Sequence, residues 1–384
     1  MINERIIALQ QKLVERGLDG VIYGPSANMQ YLLKNTDFYW QRTPNTGFYV
    51  LKDSPLCSNE LSYFNCRPDV VLWVPVEGEA AVVATYERAQ SMPTVPIDVV
   101  CYYVMMGDYI APFIGSARKI GVGLGCQHAL QEMLAEISGD IDTVLAEDLV
   151  EQLRMIKDAD EIAALRKVAE FTDFCMGEIV KILKPGITQW EVECRLNALG
   201  YEHGCPDIPF TPSCTYTQPN PNRFEEFPRV AKDIPLAPGM AIAFDNGFVM
   251  DGYCSDFGRS FYCGKVPQKV ADAYKALQAA QVELLEKIKP GMPINFTFEF
   301  LYHTLEKWGY QDNLSNYANI GMMGHQIGIS VHEEPWLHNN STEVFKPGMV
   351  MCIEPKIRIP GEAFMRVEDM VLITENGCES LTKF

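Results

Sequence analysis

Pro238-Gly239-Met240-Ala241-Ile242-Ala243-Phe244-Asp245 returns later in the chain as Pro347-Gly348-Met349-Val350-Met351-Cys352-Ile353-Glu354. Each copy is a Pro-Gly turn followed by an apolar run that ends on a carboxylate. A second acid follows each, Asp256 beyond Gly252 and Glu368 beyond Gly361. Asp251-Gly252 between apolar residues favours a two-residue hairpin turn. That turn sets Met250 against Tyr253 and, counting outward, Gly247 against Asp256. Side chains alternate faces along a strand, so Asp245 shares the face of Gly247 and lies diagonal to Asp256, with Cβ atoms roughly 7 Å apart or less. Glu354 and Glu368 bracket Gly361 symmetrically, which places them opposite each other across a longer hairpin. Four buried acids without counter-charge would repel and take up protons, whereas one or two divalent cations would keep all four ionised. Strand-end acids facing water are the alternative; it does not account for both copies placing the acid after an apolar run in one register.

The repeat extends upstream. Lys184-Pro185-Gly186-Ile187 precedes a helix whose start carries a capping box, Thr188 with Glu191, and which ends near Gly200-Tyr201. Lys289-Pro290-Gly291-Met292 likewise precedes a helix over Phe296 to Trp308, ending at Gly309-Tyr310. Each half therefore reads helix, Lys-Pro-Gly, helix, Gly-Tyr, loop, Pro-Gly-Met, strand, acid, turn, acid. Two such halves imply a pseudo-twofold α+β domain with its acids converging on the axis. A fifth candidate ligand lies in Gly324-His325-Gln326-Ile327-Gly328-Ile329-Ser330-Val331-His332, which holds two of the chain's 6 histidines. Carboxylates with one imidazole suit Mn, Co, Fe or Zn; an all-oxygen site would point to Mg or Ca.

The order Asp245, Asp256, His325, Glu354, Glu368 resembles the five-ligand signature of the pita-bread metallopeptidases, the family of methionine aminopeptidase, aminopeptidase P and prolidase. The local wording agrees: Gly252-Tyr253-Cys254-Ser255-Asp256-Phe257-Gly258-Arg259-Ser260, Gly324-His325-Gln326-Ile327-Gly328, Ile353-Glu354-Pro355 and Arg366-Val367-Glu368-Asp369. Leu153 to Pro185 resembles the leading helix of the two-domain branch that includes aminopeptidase P, prolidase and creatinase. The opening helix and Asn28-Met29-Gln30-Tyr31-Leu32 resemble that branch's N-terminal domain. The resemblance implies a smaller α/β creatinase-like domain over residues 1–150 and a pita-bread catalytic domain over residues 151–384. It implies two divalent metal ions per chain, with Asp245 chelating one, Asp256 and Glu368 bridging both and His325 completing the second. A hydroxide bridging the two ions would attack an amide carbonyl. By the same resemblance Glu354 is both metal ligand and proton-accepting base, His332 contacts the substrate carbonyl or oxyanion, and Arg366 fixes Glu368 from behind. Proteins of this kind are commonly homodimers, and Phe38-Tyr39-Trp40 is the candidate aromatic contact patch, unless those rings pack in their own domain.

Two departures concern the substrate. The family carries a further His upstream of the first aspartate, where this chain reads Thr217-Gln218-Pro219-Asn220-Pro221-Asn222-Arg223-Phe224. Arg223 and Phe224 are thus candidate pocket residues in its place. After Glu354 the usual Pro-Gly-x-Tyr becomes Pro355-Lys356-Ile357-Arg358. Lys356 and Arg358 either recognise a substrate carboxylate or are exposed strand charges. Three functions follow: a metal-dependent Xaa-Pro peptidase, which the ligand set favours; a non-peptidase enzyme on this fold acting on a small metabolite, such as a creatinase-like hydrolase or a dimethylsulfoniopropionate-type lyase; and an idle binding protein, which intact ligands count against.

The N-terminal part stands without the family. Ile2 to Arg16 has helical spacing, and β-like runs follow at Gly20–Tyr23, Gly47–Leu51, Val70–Val74, Ala80–Ala84, Val99–Tyr103 and Lys119–Leu124. Gly121-Val122-Gly123-Leu124-Gly125 misses the dinucleotide fingerprint and reads as a strand with a tight turn. An acidic linker is expected around Gly139 to Glu151. At 384 residues and 47% hydrophobic, the chain can bury two cores. A formal net charge of −18 argues against nucleic acid and anionic membrane surfaces. No signal peptide or spanning segment is visible, so the expected location is cytoplasmic. The 12 cysteines form no Cys-x-x-Cys pair and read as scattered buried thiols. No nucleophile elbow is present.

Overall fold

The computed structural model describes residues 1–36, 39–41, 68–101, 105–219, 229–315 and 321–384. The chain divides into two compact units, Met1–Arg154 and Met155–Phe384. The first unit runs α1 (Glu4–Arg16), β1 (Gly20–Tyr23), α2 (Ala27–Leu33), β2 (Val70–Pro75), β3 (Ala81–Thr85), α3 (Tyr86–Gln90), β4 (Val99–Cys101), α4 (Met106–Ile114), β5 (Lys119–Val122), α5 (Gln127–Ile137), β6 (Asp142–Leu145) and α6 (Asp148–Arg154). Its strands make one mixed sheet in the order β4-β3-β2-β1-β5-β6. Ile22, Val71, Trp73, Val83, Ile120 and Val122 of the sheet meet Met106, Ile110, Leu130 and Leu134 of α4 and α5. The glycine run is β5 and the bend after it. The expected strand at Gly47–Leu51 lies outside the described residues.

The expected linker is corrected. Residues 139–151 hold β6, paired parallel to β5, and the start of α6. β6 is the sheet's edge strand and is at most half-buried, so it carries no apolar alternation to read. Of the aromatic cluster, Tyr39 is buried, Trp40 is half-buried with its backbone N–H donating to the Gln30 side-chain oxygen, and Phe38 is outside the described residues. The expected exposed patch is therefore largely covered.

The second unit carries the repeat. Its first half is α7 (Ala159–Ile182), α8 (Gln189–Glu202), β7 (Ser213–Thr217), β8 (Ala241–Asp245), β9 (Val249–Met250), β10 (Tyr253–Cys254) and β11 (Ser260–Tyr262). The second half is α9 (Gln268–Lys287), α10 (Phe296–Glu306), β12 (Gly324–Gln326), β13 (Glu333–Leu337), β14 (Val350–Ile353), β15 (Lys356–Ile359), β16 (Ala363–Arg366), β17 (Asp369–Ile373) and β18 (Cys378–Ser380). The correspondence reaches single hydrogen bonds. Gly186 N–H donates to Leu236 and Gly291 N–H to Phe345, both at 2.8 Å; Gly239 N–H donates to Cys263 at 2.8 Å and Gly348 N–H to Ile373 at 2.9 Å. Gly239 and Gly348 hold φ of 98° and 88°, which is why each strand is entered through a Pro-Gly turn.

Alternation then separates core from site. Met240, Ile242 and Phe244 face a core with Val168, Met176 and Ile179 of α7 and Leu196 of α8. Met351 and Ile353 of β14 face another with Leu284 of α9 and Leu301 and Leu305 of α10. Each such buried side chain contributes about 1.5–3 kcal/mol, so the register of β8 and β14 is strongly specified. Asp245 in one half and Glu354 in the other are of the opposite parity and belong to neither of these cores.

Candidate metal centre

Both acidic hairpins pair in the counted register. Met250 opposes Tyr253, Asn246 bridges Phe257, and Ala243 opposes Ser260, so Gly247 falls opposite Asp256. Asp251 and Gly252 take φ of 49° and 79°, the two positive values an Asp-Gly turn of this type requires. In the second hairpin Ile353 opposes Asp369 and Lys356 opposes Arg366, which brackets Glu354 and Glu368 between paired positions. The halves meet where Glu368 N–H donates to the Gly258 carbonyl at 2.8 Å. A side chain at Gly258 would put its Cβ 2.3 Å from Arg366 Cδ, so the glycine makes room for that arginine.

A pocket of about 420 Å³ opens here, lined by Phe210, Met322, Val331 and Trp336 among apolar residues and by Asp245, Asp256, His325, His332, Glu354, Lys356 and Arg366. Asp256, His325, Cys352 and Glu368 each bring one donor atom into a group whose members all lie within 4.8 Å of one another. His325 Nε2 stands 3.5 Å from Asp256 Oδ2. His325 Nδ1 lies 3.1 Å from the Gln326 carbonyl, so the proton belongs on Nδ1 and the Nε2 lone pair points into the group. His325 Nε2, Asp256 Oδ1 and Glu368 Oε1 are buried and have no hydrogen-bond partner among the described residues. Such orphaned donors are costly unless something unseen satisfies them.

The remaining acids are held differently. Arg366 contacts Asp245 Oδ2, reaches Glu368 Oε2 at 3.1 Å and Glu354 Oε2 at 3.8 Å. Lys356 Nζ contacts Glu354 Oε2. Burial, then the neighbouring acids, pushes Asp256 and Glu368 well above the ordinary carboxylate range. Burial would raise Glu354 too, but Lys356 and Arg366 outweigh it and hold that carboxyl low. Arg366 is raised, the surrounding carboxylates overriding the cost of its burial. Cys352 is driven up by burial and by the same acids. His332 lies against His325, ring centroids 4.3 Å apart, and stacks on Trp336 at 5.2 Å and 15°. Desolvation first and His325 second bring His332 down to about 4, so it is neutral at pH 7 although the residue keeps an exposed edge.

The expected ligands and His332 thus gather in one place. Lys356 is only partly exposed and lines the pocket, bonded to a candidate ligand. Arg358 shares its strand face but not the pocket, and its guanidinium lies 5.9 Å from the Phe364 ring centroid. Arg366, expected to fix Glu368, lies 3.1 Å from it and also reaches Asp245 and Glu354. Arg223 and Phe224 lie outside the described residues. Cys352, read in sequence as a filler thiol, stands in the donor group; its one sequence signal was its position two residues before Glu354 in a strand.

The pattern of metallopeptidase family M24 matches residues 163–375, over half of the chain, and the chain belongs to that family. An uncharacterized peptidase of Staphylococcus aureus (strain USA300) is 28% identical over 246 residues, 64% of this chain and 66% of that protein. YkvY of Bacillus subtilis (strain 168), whose dipeptidase assignment is provisional, is 31% identical over 257 residues, 66% of this chain and 67% of that one. The match thus spans about two thirds of these relatives' length. Among solved structures, the prolidase of Pyrococcus horikoshii OT3 superposes with a TM-score of 0.79 at 20% identity, covering 99% of this chain and 98% of that one. Dipeptidase PepE of Mycobacterium ulcerans gives 0.75 at 25% identity, over 99% and 95%. The fold is therefore that of the two-domain pita-bread branch. Among the described residues no helix is long and apolar enough to cross a membrane.

The donor set fits the divalent metal ions that the family implies: three residues, each with a buried oxygen or imidazole nitrogen that has no partner among the described residues, converge from both halves of the repeat.

Proposed function

We propose that this chain is a metal-dependent amide hydrolase of the Xaa-Pro peptidase type, acting on a small peptide. Two divalent transition ions, drawn from Mn, Co, Fe and Zn, would be held by Asp245, Asp256, His325, Glu354 and Glu368. The single observation carrying this reading is the convergence of His325, Asp256 and Glu368 in one donor group, each with a buried, unsatisfied nitrogen or oxygen among the described residues. When bound, the ions supply an activated water and an electrophile for the carbonyl. Glu354, kept ionised by Lys356 and Arg366, accepts the proton that the attacking water loses and returns it to the departing amine. Neutral His332, fixed by the Trp336 stack, donates a hydrogen bond to the oxygen on which charge develops. Arg366 holds Asp245, Glu354 and Glu368 in mutual register.

A second reading, a non-peptidase enzyme acting on a small metabolite, is favoured by Lys356, whose ammonium occupies the pocket beside Glu354. One experiment separates the readings. The metal-replete protein is assayed against Xaa-Pro dipeptides, longer Xaa-Pro peptides and small betaine or guanidino compounds, with metal content measured on the same sample. About two ions per chain, Xaa-Pro cleavage and loss of that activity with chelator are expected. Absence of stoichiometric metal would overturn the centre, and turnover confined to the small compounds would select the second reading. Metal should also raise the melting temperature, because an ion at 100 times its Kd stabilises the folded state by about 2.7 kcal/mol.

The reading includes a homodimer, now supported by resemblance alone since Tyr39 is buried. Light scattering should give twice the 43.2 kDa chain mass; an active monomer would remove the dimer from the proposal.

A further inference from the structure

Resting on the metal centre proposed above, we infer that Cys352 is a sixth protein ligand, giving the ion at Asp256, His325 and Glu368 a sulfur donor and a preference for zinc or cobalt over manganese.

The sheet places it there. Cys352 lies on the central strand β14, directly opposite His325 of β12 on one side and Met370 of β17 on the other. Directly paired residues project to the same face of a sheet, so the thiol and the imidazole stand side by side. Alternation adds Glu354, two residues on, to that face and sends Met351 and Ile353 into the opposite core. The residue is wholly buried, and among the described residues its thiol makes no hydrogen bond.

The distances suit one ion. Ligand bonds of about 2.0–2.3 Å put neighbouring donors of a tetrahedral ion roughly 3.5 Å apart, and donors across an octahedral ion about 4.3 Å apart. The four donor atoms here spread over no more than 4.8 Å, so modest side-chain adjustment closes them onto a single ion. Three of those four residues carry a buried donor atom that nothing else in the described structure satisfies. A lone thiol in a core packs as a small hydrophobe; this one shares its face with a histidine and a glutamate and its donor group with two further acids, Asp256 and Glu368. Sulfur coordination would release the thiol proton to solvent and form a metal–thiolate bond with no change in oxidation state. Thiolate favours zinc and cobalt, whereas an oxygen-rich set with one imidazole leaves manganese competitive.

The test loads the full chain with cobalt(II) and measures cobalt content and absorption on one sample. Stoichiometric cobalt with a thiolate-to-cobalt charge-transfer band in the near ultraviolet is expected. Cys352→Ser should remove the band while cobalt remains bound, and should lower the zinc-to-manganese affinity ratio about 10-fold or more, the scale on which even outer contacts tune metal affinity. Cys352→Ala, checked for folding by circular dichroism, serves if the serine variant does not fold. Bound cobalt without the band, or a band that survives both substitutions, would show that Cys352 only packs and would leave the metal centre standing. No bound cobalt at all would overturn the centre and this ligand together.

Discussion

Glu354→Gln should lower turnover by about 10²–10⁴-fold, the usual contribution of a positioned general base, while the chain stays folded. Glu354 follows β14 directly and points away from the core that Met351 and Ile353 enter. Burial alone would make it a weak acid, but Lys356 and Arg366 keep it ionised and able to accept a proton. A carboxamide has nearly the same shape and none of that basicity. It also binds metal more weakly, so base loss and metal loss must be told apart. Measuring metal content and rate on one sample does so: full occupancy with a rate lowered by at least 10²-fold assigns the base to Glu354. Wild-type rates at full occupancy would show that the proton goes elsewhere.

The hairpins were legible because their signals are local. Asp251-Gly252 carries its own turn geometry, and the equal spacing of Glu354 and Glu368 about Gly361 needs only counting. The repeated Pro-Gly-Met likewise announces a repeated turn, since each glycine holds a positive φ that other residues resist. What could not be read depends on contacts across the fold. Lys356 looked like an unassigned strand cation, and only the β15–β16 pairing shows it opposite Arg366, both turned toward carboxylates. Cys352 sat in an apolar run where a thiol is ordinary; its meaning appears only when β12 is laid beside it. Strand β6 was missed for a simpler reason, because an edge strand facing solvent has no need of alternating apolar residues.

The same distinction decides where the largest loss of stability should lie. Lys157→Met should destabilise the second unit by about 3–5 kcal/mol, the usual cost of removing one partner from a buried ion pair. Lys157 Nζ meets Glu333 Oε2 at 2.9 Å, and the two side chains are only 1% and 5% exposed. Glu333 Oε1 accepts the Ser330 N–H at 3.0 Å, and the Gly328 N–H closes the same turn onto the Ser330 carbonyl at 3.0 Å. The carboxylate therefore organises the segment that runs from His325 to His332, and the ammonium is what lets it stay charged there. For a unit of this size the loss corresponds to a fall in melting temperature of roughly 6–20 °C. Because the cost is an uncompensated charge rather than lost packing, Lys157→Met combined with Glu333→Gln should recover part of it, a coupling that a double-mutant cycle reads directly. His332 immediately precedes Glu333, so the single variant should also turn over more slowly at temperatures where its far-ultraviolet dichroism is unchanged. A melting temperature within 2 °C of wild type, less than about 1 kcal/mol for a unit of this size, would mean the pair contributes nothing net. A drop the double variant fails to recover would place the cost in packing around the lysine stem and take the charge out of the explanation.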